Sequence, residues 1–426
     1  MRTVVIGGGI CGLAVAHRLA REGVEVTLLE ASDQLGGLGT FFPWRDRWVE
    51  RFYHCVMPTD ENLLPLLGEL GLGDDVRWER TSMGMIVDGR HYPFNSALDL
   101  LRFTALGVVD RVRFGAVSVL LRRLGKGKDL DNLRTEDWLR GLYGDKVWEN
   151  LFAPLFGSKF GAAFGDVPAL YLWQRLGRER NVAVRGYPRG GYKSIIDALR
   201  ASIESHGGTV RTSAPVRVLR DGEVELDGET IRADRIVSTL PLPALRQVAD
   251  PELAPLLPSV QLRYQGVVNA LFVLRKPLSG HYWTPVLRSG TEFDGVVEMS
   301  PLTGPVDGRH LAYVMRYTGR DSSLFAEEES SIAARWTEQL RSLHPGADVE
   351  EVHVFRAPFV EPVYPVGYLA ARPAVEVAGT SLLLATTAHV YPSVTSWNSS
   401  VGLANRVSET ILRTAVSMSP DGEPVP

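Results

Sequence analysis

The sequence predicts a mixed fold, α/β + α+β: a Rossmann-like domain assembled from separated stretches, interrupted by a helical insertion and by a mixed-sheet domain. Three observations predict it. Val4-Val5-Ile6 is a short β-branched run that enters Gly7-Gly8-Gly9-Ile10-Cys11-Gly12 and then a helical pattern of Leu13, Val15, Ala16 and Leu19. A second strand, residues 24–29, ends at Glu30. One βαβ unit has too few strands for a sheet, and further strand and helix signals return near residues 186 and 375.

Gly7, Gly9 and Gly12 have the G-x-G-x-x-G spacing, and each glycine has a mechanical job. The first makes the tight turn out of the strand, the second lets backbone approach a pyrophosphate, and the third lets helix and strand pack closely. The helix N-terminus then offers unpaired N–H groups to the phosphates. Glu30, eighteen residues after Gly12, stands where a carboxylate can accept hydrogen bonds from an adenosine ribose, and it disfavours a 2′-phosphate. A second glycine-rich loop, Gly36-Gly37-Leu38-Gly39-Thr40, can close over the pyrophosphate from the other side.

The stretch from Glu30 through Ala31, Gln34 and Gly36 to Thr40 resembles the extended FAD fingerprint of the flavin amine oxidase, protoporphyrinogen oxidase and phytoene desaturase superfamily. UDP-galactopyranose mutase is a more distant resemblance. The family pattern places arginine where this chain has Gln34 and Leu38. The resemblance implies FAD as cofactor. The residues it would place against FAD are Gly7, Gly9, Ile10, Cys11, Gly12, Glu30, Ala31, Gly36, Gly37, Leu38, Gly39 and Thr40, with Val216, Thr387, Asn398, Ser399 and Val401 from later segments. It also implies oxidase, dehydrogenase or desaturase chemistry on a small organic substrate, in natural-product, glycan or isoprenoid biosynthesis. The competing reading is a mutase without net redox change. It rests on a likeness of residues 89–95 and 98–103 to such mutases, with Arg102, Arg175 or Arg178 able to hold a diphosphate. A flavin-binding scaffold protein is a third reading.

Composition narrows the rest. A chain of 426 residues suits two or three subdomains, and its 45% hydrophobic and 23% charged content is that of a globular enzyme. A net charge of −4 gives no support for nucleic-acid binding. Two cysteines make no disulfide framework, Cys11 reads as packing, and no cluster has metal-ligand spacing. Met1 leads straight into a strand and no apolar run could cross a bilayer, so a cytoplasmic protein is expected. Arginine far outnumbers lysine, which points to a GC-rich bacterial genome and limits any catalytic lysine to Lys126, Lys128, Lys146, Lys159, Lys193 or Lys276.

The expected FAD domain comprises residues 1–50, 186–245 and 375–415. Its middle part has a helix through Ile195, Leu199 and Ile203, strands at residues 209–211 and 215–219, a hairpin turn at Asp227-Gly228 and a strand at 234–241. Its last part has a buried strand at 381–387 and a helix starting near Asn398, where Asn or Ser makes a good cap. Residues 51–95 and 246–374 form the expected substrate domain, with alternating strands at 264–274 and 310–317, a helix at 327–343 and a strand at 352–355. Residues 96–185 read as helical and basic, and 416–426 as a flexible tail. The basic stretch is either a solvated face or a peripheral membrane contact. Nothing in the sequence fixes the oligomeric state.

Three residues are the catalytic candidates. His389 and Tyr391 fall in the loop before the last helix, where His is an acid or base near neutral pH or simply a loop residue. Lys159 lies in an apolar, glycine-flanked segment, either paired with a carboxylate or an anionic ligand, or exposed on a loop. Trp283, Tyr313 and Tyr317 either stack on a ligand or pack the core.

Overall fold

The computed structural model describes residues 1–178 and 183–417. Strand Arg2–Ile6 is the centre of a five-stranded parallel sheet in the order Leu382–Leu384, Arg235–Ser238, Arg2–Ile6, Glu25–Leu29, Thr209–Arg211. Val4 pairs with Ile236 on one side and Thr27 on the other. Parallel strands covered on both faces need apolar side chains throughout, and Val4, Val5, Leu28, Ile236 and Val237 are accordingly buried. Helix Ile10–Arg21 packs against helices Gly191–Ser205 and Trp397–Ser417, burying Leu13, Val15, Ala16 and Leu19. Each of the leucines and the valine contributes about 1.5–3 kcal/mol on removal from water.

Several expected elements shift. The strand expected at residues 215–219 begins only at Val218, so Val216 lies in the extended run before it. The Asp227-Gly228 turn does join a hairpin, Glu223–Leu226 to Glu229–Arg232, with Gly228 at φ 78°. The last helix starts at Trp397, and its first turn is tied by Ser396, whose Oγ accepts from the Ser399 N–H at 3.2 Å. Residues 416 and 417 of the expected tail belong to this helix, and the remainder lies outside the described residues.

The second sheet has seven strands in the order Val349–Val363, Arg263–Leu274, His310–Gly319, Gly295–Glu298, Trp283–Leu287, Gly84–Val87, Arg90–Pro93. Strand Arg263–Leu274 is buried from its second residue onward. Its period-two alternation therefore sorts two covered faces rather than core from solvent. Val268, Ala270, Phe272 and Leu274 pack beneath helix Glu329–Leu343 with Ile332, Trp336 and Leu340. Val267, Leu271 and Val273 face the opposite way, against Trp44, Val49 and Tyr282. The same face carries two buried amides, Gln265 and Asn269, and Asn269 Nδ2 donates to the Arg51 carbonyl at 2.7 Å. Strand Val349–Val363 runs well beyond the short strand expected at 352–355.

Residues 97–178 are mostly helical, from Ala97–Arg102 and Val108–Gly125 to Thr135–Tyr143, Ala153–Phe160 and Ala169–Arg178. Ser96 and Asp99 form a reciprocal capping box at the first of these. Helix Ala153–Phe160 lies against strand His310–Gly319.

One edge of the second sheet carries a pH-sensitive histidine, His344. The rings of His91 and His344 meet edge-on at 4.8 Å, and burial, reinforced by His91, pulls His344 down to about 4 from 6.5. The folded state therefore prefers neutral His344, whereas the unfolded chain takes up a proton near pH 6.5. This contribution is complete above pH 6.5 and is lost as pH falls towards 4, by up to about 3 kcal/mol. Denaturant unfolding of His344→Leu across pH 4–7 should show a flatter profile than the parent, and identical slopes would remove His344 from the acid sensitivity.

Candidate active site

The two glycine loops meet at the C-terminal edge of the parallel sheet. Gly9 and Gly36 form a parallel bridge, and the Gly36 N–H donates to the Gly8 carbonyl at 2.8 Å. Gly7 is left-handed (φ 105°), and a Cβ on it would lie 2.2 Å from Thr239 Oγ1. A Cβ on Gly12 would lie 2.0 Å from the Gly7 carbonyl oxygen, so this helix start tolerates no side chain. Gly9 differs: a Cβ there would meet only Gly37 Cα, at 3.9 Å. Gly9 thus faces an open crevice, and helix Ile10–Arg21 begins there with no side-chain cap and no acid in its first turn. Its first N–H groups are left for an anion.

Glu30 stands at the strand end, as expected. Its Oε2 accepts the Gly8 N–H at 2.7 Å and its Oε1 the Ser32 N–H at 2.8 Å, which fixes the carboxylate beside the crevice with Ala31 exposed next to it. Cys11 is a packing residue: its Sγ approaches the Ala385 carbonyl at 3.5 Å, and burial pushes the thiol up to about 12. Ile10 is buried, and Gly39 packs beneath the Trp397 ring, 2.4 Å from where a Cβ would sit. The Thr40 N–H donates to the Gly37 carbonyl at 3.3 Å.

Leu38 extends from the second glycine loop into an apolar cluster with Tyr53, Cys55, Trp283 and Tyr317. Tyr53 stacks on Trp283 at 6.4 Å and meets the Tyr317 hydroxyl at 3.3 Å. Burial, followed by Tyr317, raises the Tyr53 phenol well above its ordinary range, while Arg175 opposes the shift. Lys159 Nζ lies 5.5 Å from the Tyr317 ring centroid and 2.7 Å from Glu361 Oε2. The other Glu361 oxygen accepts from the buried Tyr171 hydroxyl. A buried acid, a lysine and three aromatic rings are thus joined by successive contacts, and the rings pack against the same buried cluster as Leu38.

The model of the flavin containing amine oxidoreductase family matches residues 10–375. The chain belongs to this family. FAD is its cofactor. The open crevice at Gly9, the uncapped helix N-terminus and the fixed Glu30 fit a pyrophosphate and a ribose. Among relatives, the 15-cis-phytoene desaturase of Capsicum annuum is 26% identical over 274 residues, 57% of this chain and 47% of that one. The chain spans about half the length of the curated relatives of this kind. Two solved structures share the fold. An oxidoreductase from Methanosarcina mazei superposes with TM-score 0.73 at 20% identity, over 97% of this chain and 100% of that one. A reduced UDP-galactopyranose mutase gives 0.76 at 15% identity, over 99% and 96%.

Within this chain the catalytic candidates differ in their partners. Lys159 lies over the Tyr317 ring and is paired with the Glu361 carboxylate. The Tyr391 ring stacks at 6.4 Å on that of Tyr171, the other partner of Glu361, and His389 lies two residues before it. His389 is buried, with Nε2 3.1 Å from the Ala374 carbonyl and Nδ1 3.4 Å from Thr386 Oγ1, and burial holds its pKa low. The Tyr391 hydroxyl donates to buried Asp131, and burial with that carboxylate raises its pKa far above the usual phenol range. Both rings are thus engaged by the protein itself. The Thr387 carbonyl accepts from Tyr364 at 2.8 Å. Asn398 does not cap its own helix: its Oδ1 accepts the N–H groups of Asn62 and Leu63, at 2.8 and 3.1 Å, so it caps helix Leu63–Glu69. Ser399 Oγ donates to the Val394 carbonyl at 2.8 Å, and Val401 is buried in the core. Tyr313 donates to the Glu50 carbonyl at 2.7 Å, which makes it a packing residue. Arg102 is exposed on the outer helices, and the Arg178 side chain lies outside the described residues.

Sequence reasoning missed Glu361, Tyr53, Glu50 and Asp131. Buried Glu50 accepts the Tyr192 N–H at 2.7 Å and the Tyr187 hydroxyl at 2.6 Å, locking the start of helix Gly191–Ser205. The available signal was the Tyr187-Pro188 and Gly190-Gly191-Tyr192 stretch, whose phenols need partners once buried. Among the described residues no group of three His, Cys, Asp or Glu side chains is placed to hold a metal, and no helix is long and apolar enough to cross a membrane.

Proposed function

We propose that this chain is an FAD-dependent oxidoreductase that acts as an oxidase, dehydrogenase or desaturase on a small organic substrate bound against the Tyr53, Trp283 and Tyr317 wall. The observation that carries this reading is that Leu38, in the pyrophosphate-side glycine loop, belongs to the same apolar cluster as those three rings. Bound FAD supplies the hydride or electron acceptance, so the protein's task is to position the substrate and exclude water. The aromatic wall offers stacking and apolar cover, Lys159 lies over its Tyr317 ring, and Arg175 acts as a positive charge on Tyr53. The cofactor contacts proposed are Gly7, Gly9, Gly12, Glu30 and residues 36–40, with Lys159 as the catalytic-site cation.

The test is anaerobic mixing of the yellow holoprotein with amines, porphyrinogens, polyprenyl or carotenoid precursors, and nucleotide sugars. A substrate should bleach the flavin, and turnover should consume oxygen or another acceptor. Activity on a nucleotide sugar only after dithionite reduction, with no acceptor consumed, would replace this reading with the mutase one.

A further inference from the structure

The outermost helices present a face of unexpected composition. Seven of the thirteen large hydrophobic side chains exposed among the described residues lie between Leu98 and Leu120. Val108, Val109, Val112, Val119 and Leu120 of helix Val108–Gly125 all point outward, with Val109 79% and Val119 74% exposed. At 100° per residue these five fall within an arc of about 120°. The opposite side of the helix packs inward through Phe114, Val117 and Leu121. Leu98 and Leu101, on the adjoining helix Ala97–Arg102, extend the patch.

The charge around the patch is predominantly positive. Residues 97–128 hold seven Arg or Lys against two Asp, a local +5 in a chain of net −4. Arg102, Arg123, Lys126 and Lys128 are exposed around it.

We infer that this face lies on an anionic bilayer surface, with its valines and leucines in the headgroup–acyl boundary and its basic side chains on lipid phosphates and carboxylates. A convex apolar stripe with a cationic border has the form of an in-plane interfacial helix. Symmetric docking of a second copy is disfavoured, because it would bring two +5 surfaces together. No helix among the described residues could span the bilayer, so the contact is peripheral.

The holoprotein is to be sedimented with phosphatidylcholine vesicles, with and without phosphatidylserine, at low and high salt. Binding should need phosphatidylserine and weaken with salt. Arg123→Glu/Lys126→Glu should lower partitioning roughly tenfold or more, since each basic residue near the surface is worth several-fold. Val109→Glu/Val112→Glu should lower it on the order of tenfold as well. Both pairs are exposed, so Tm and flavin content should not change. Absence of sedimentation with either vesicle, binding that both variants retain in full, or a concentration-dependent dimer abolished by Val109→Glu/Val112→Glu would each overturn the inference.

Discussion

Gly9→Leu should fold normally and purify without colour. A Cβ at Gly9 would meet only Gly37 Cα, at 3.9 Å, so a side chain can leave the backbone without a clash, and a leucine there would fill the crevice that the pyrophosphate needs. Loss of at least about a hundredfold in FAD affinity is expected, equivalent to about 2.8 kcal/mol. Gly12→Ala separates cofactor exclusion from misfolding, because its Cβ would sit 2.0 Å from the Gly7 carbonyl oxygen and force backbone to move. That variant should be destabilised even in the absence of FAD. A ligand that binds only the folded state raises its stability. The Tm of Gly9→Leu should therefore match that of the parent stripped of FAD, while that of Gly12→Ala should fall below it. A yellow, fully loaded Gly9→Leu would place the cofactor elsewhere.

The contrast between these two glycines shows what the sequence makes legible. Strand, turn, helix and acid lie within thirty residues, and their spacing encodes their geometry, so the crevice at Gly7–Gly12 and the position of Glu30 could be read directly. Pairings between distant segments leave no such local trace. Asn398 caps a helix 336 residues earlier in the chain, and Tyr391 donates to an aspartate 260 residues earlier. Both look like ordinary loop or cap residues until the segments are brought together. The helix does start next to Asn398 with a serine, Ser396, at its first turn, but the Asn398 side chain itself caps helix Leu63–Glu69. The strand Arg263–Leu274 was read correctly as a strand, yet alternation alone could not show that both its faces are covered.

Replacing Lys159 tests the least legible part of the site. Glu361 is 97% buried and its two oxygens are engaged by Lys159 and Tyr171. Lys159→Met leaves that carboxylate in a dry site with one phenol for company. Removing one partner of a buried pair exposes the desolvation penalty of the other, so a loss of about 3 kcal/mol in unfolding free energy is expected. Lys159→Met/Glu361→Gln removes the charge as well as its partner and should recover a substantial part of the loss, giving a coupling of about 1–3 kcal/mol in a double-mutant cycle. The same lysine sits 5.5 Å from the Tyr317 ring, which meets Tyr53 and, through it, Trp283. If Lys159 serves the substrate as well as Glu361, the double variant should regain stability while flavin reduction stays slow. Recovery of both together would make the lysine purely structural, and an unchanged unfolding curve for Lys159→Met would show that water already reaches the pair.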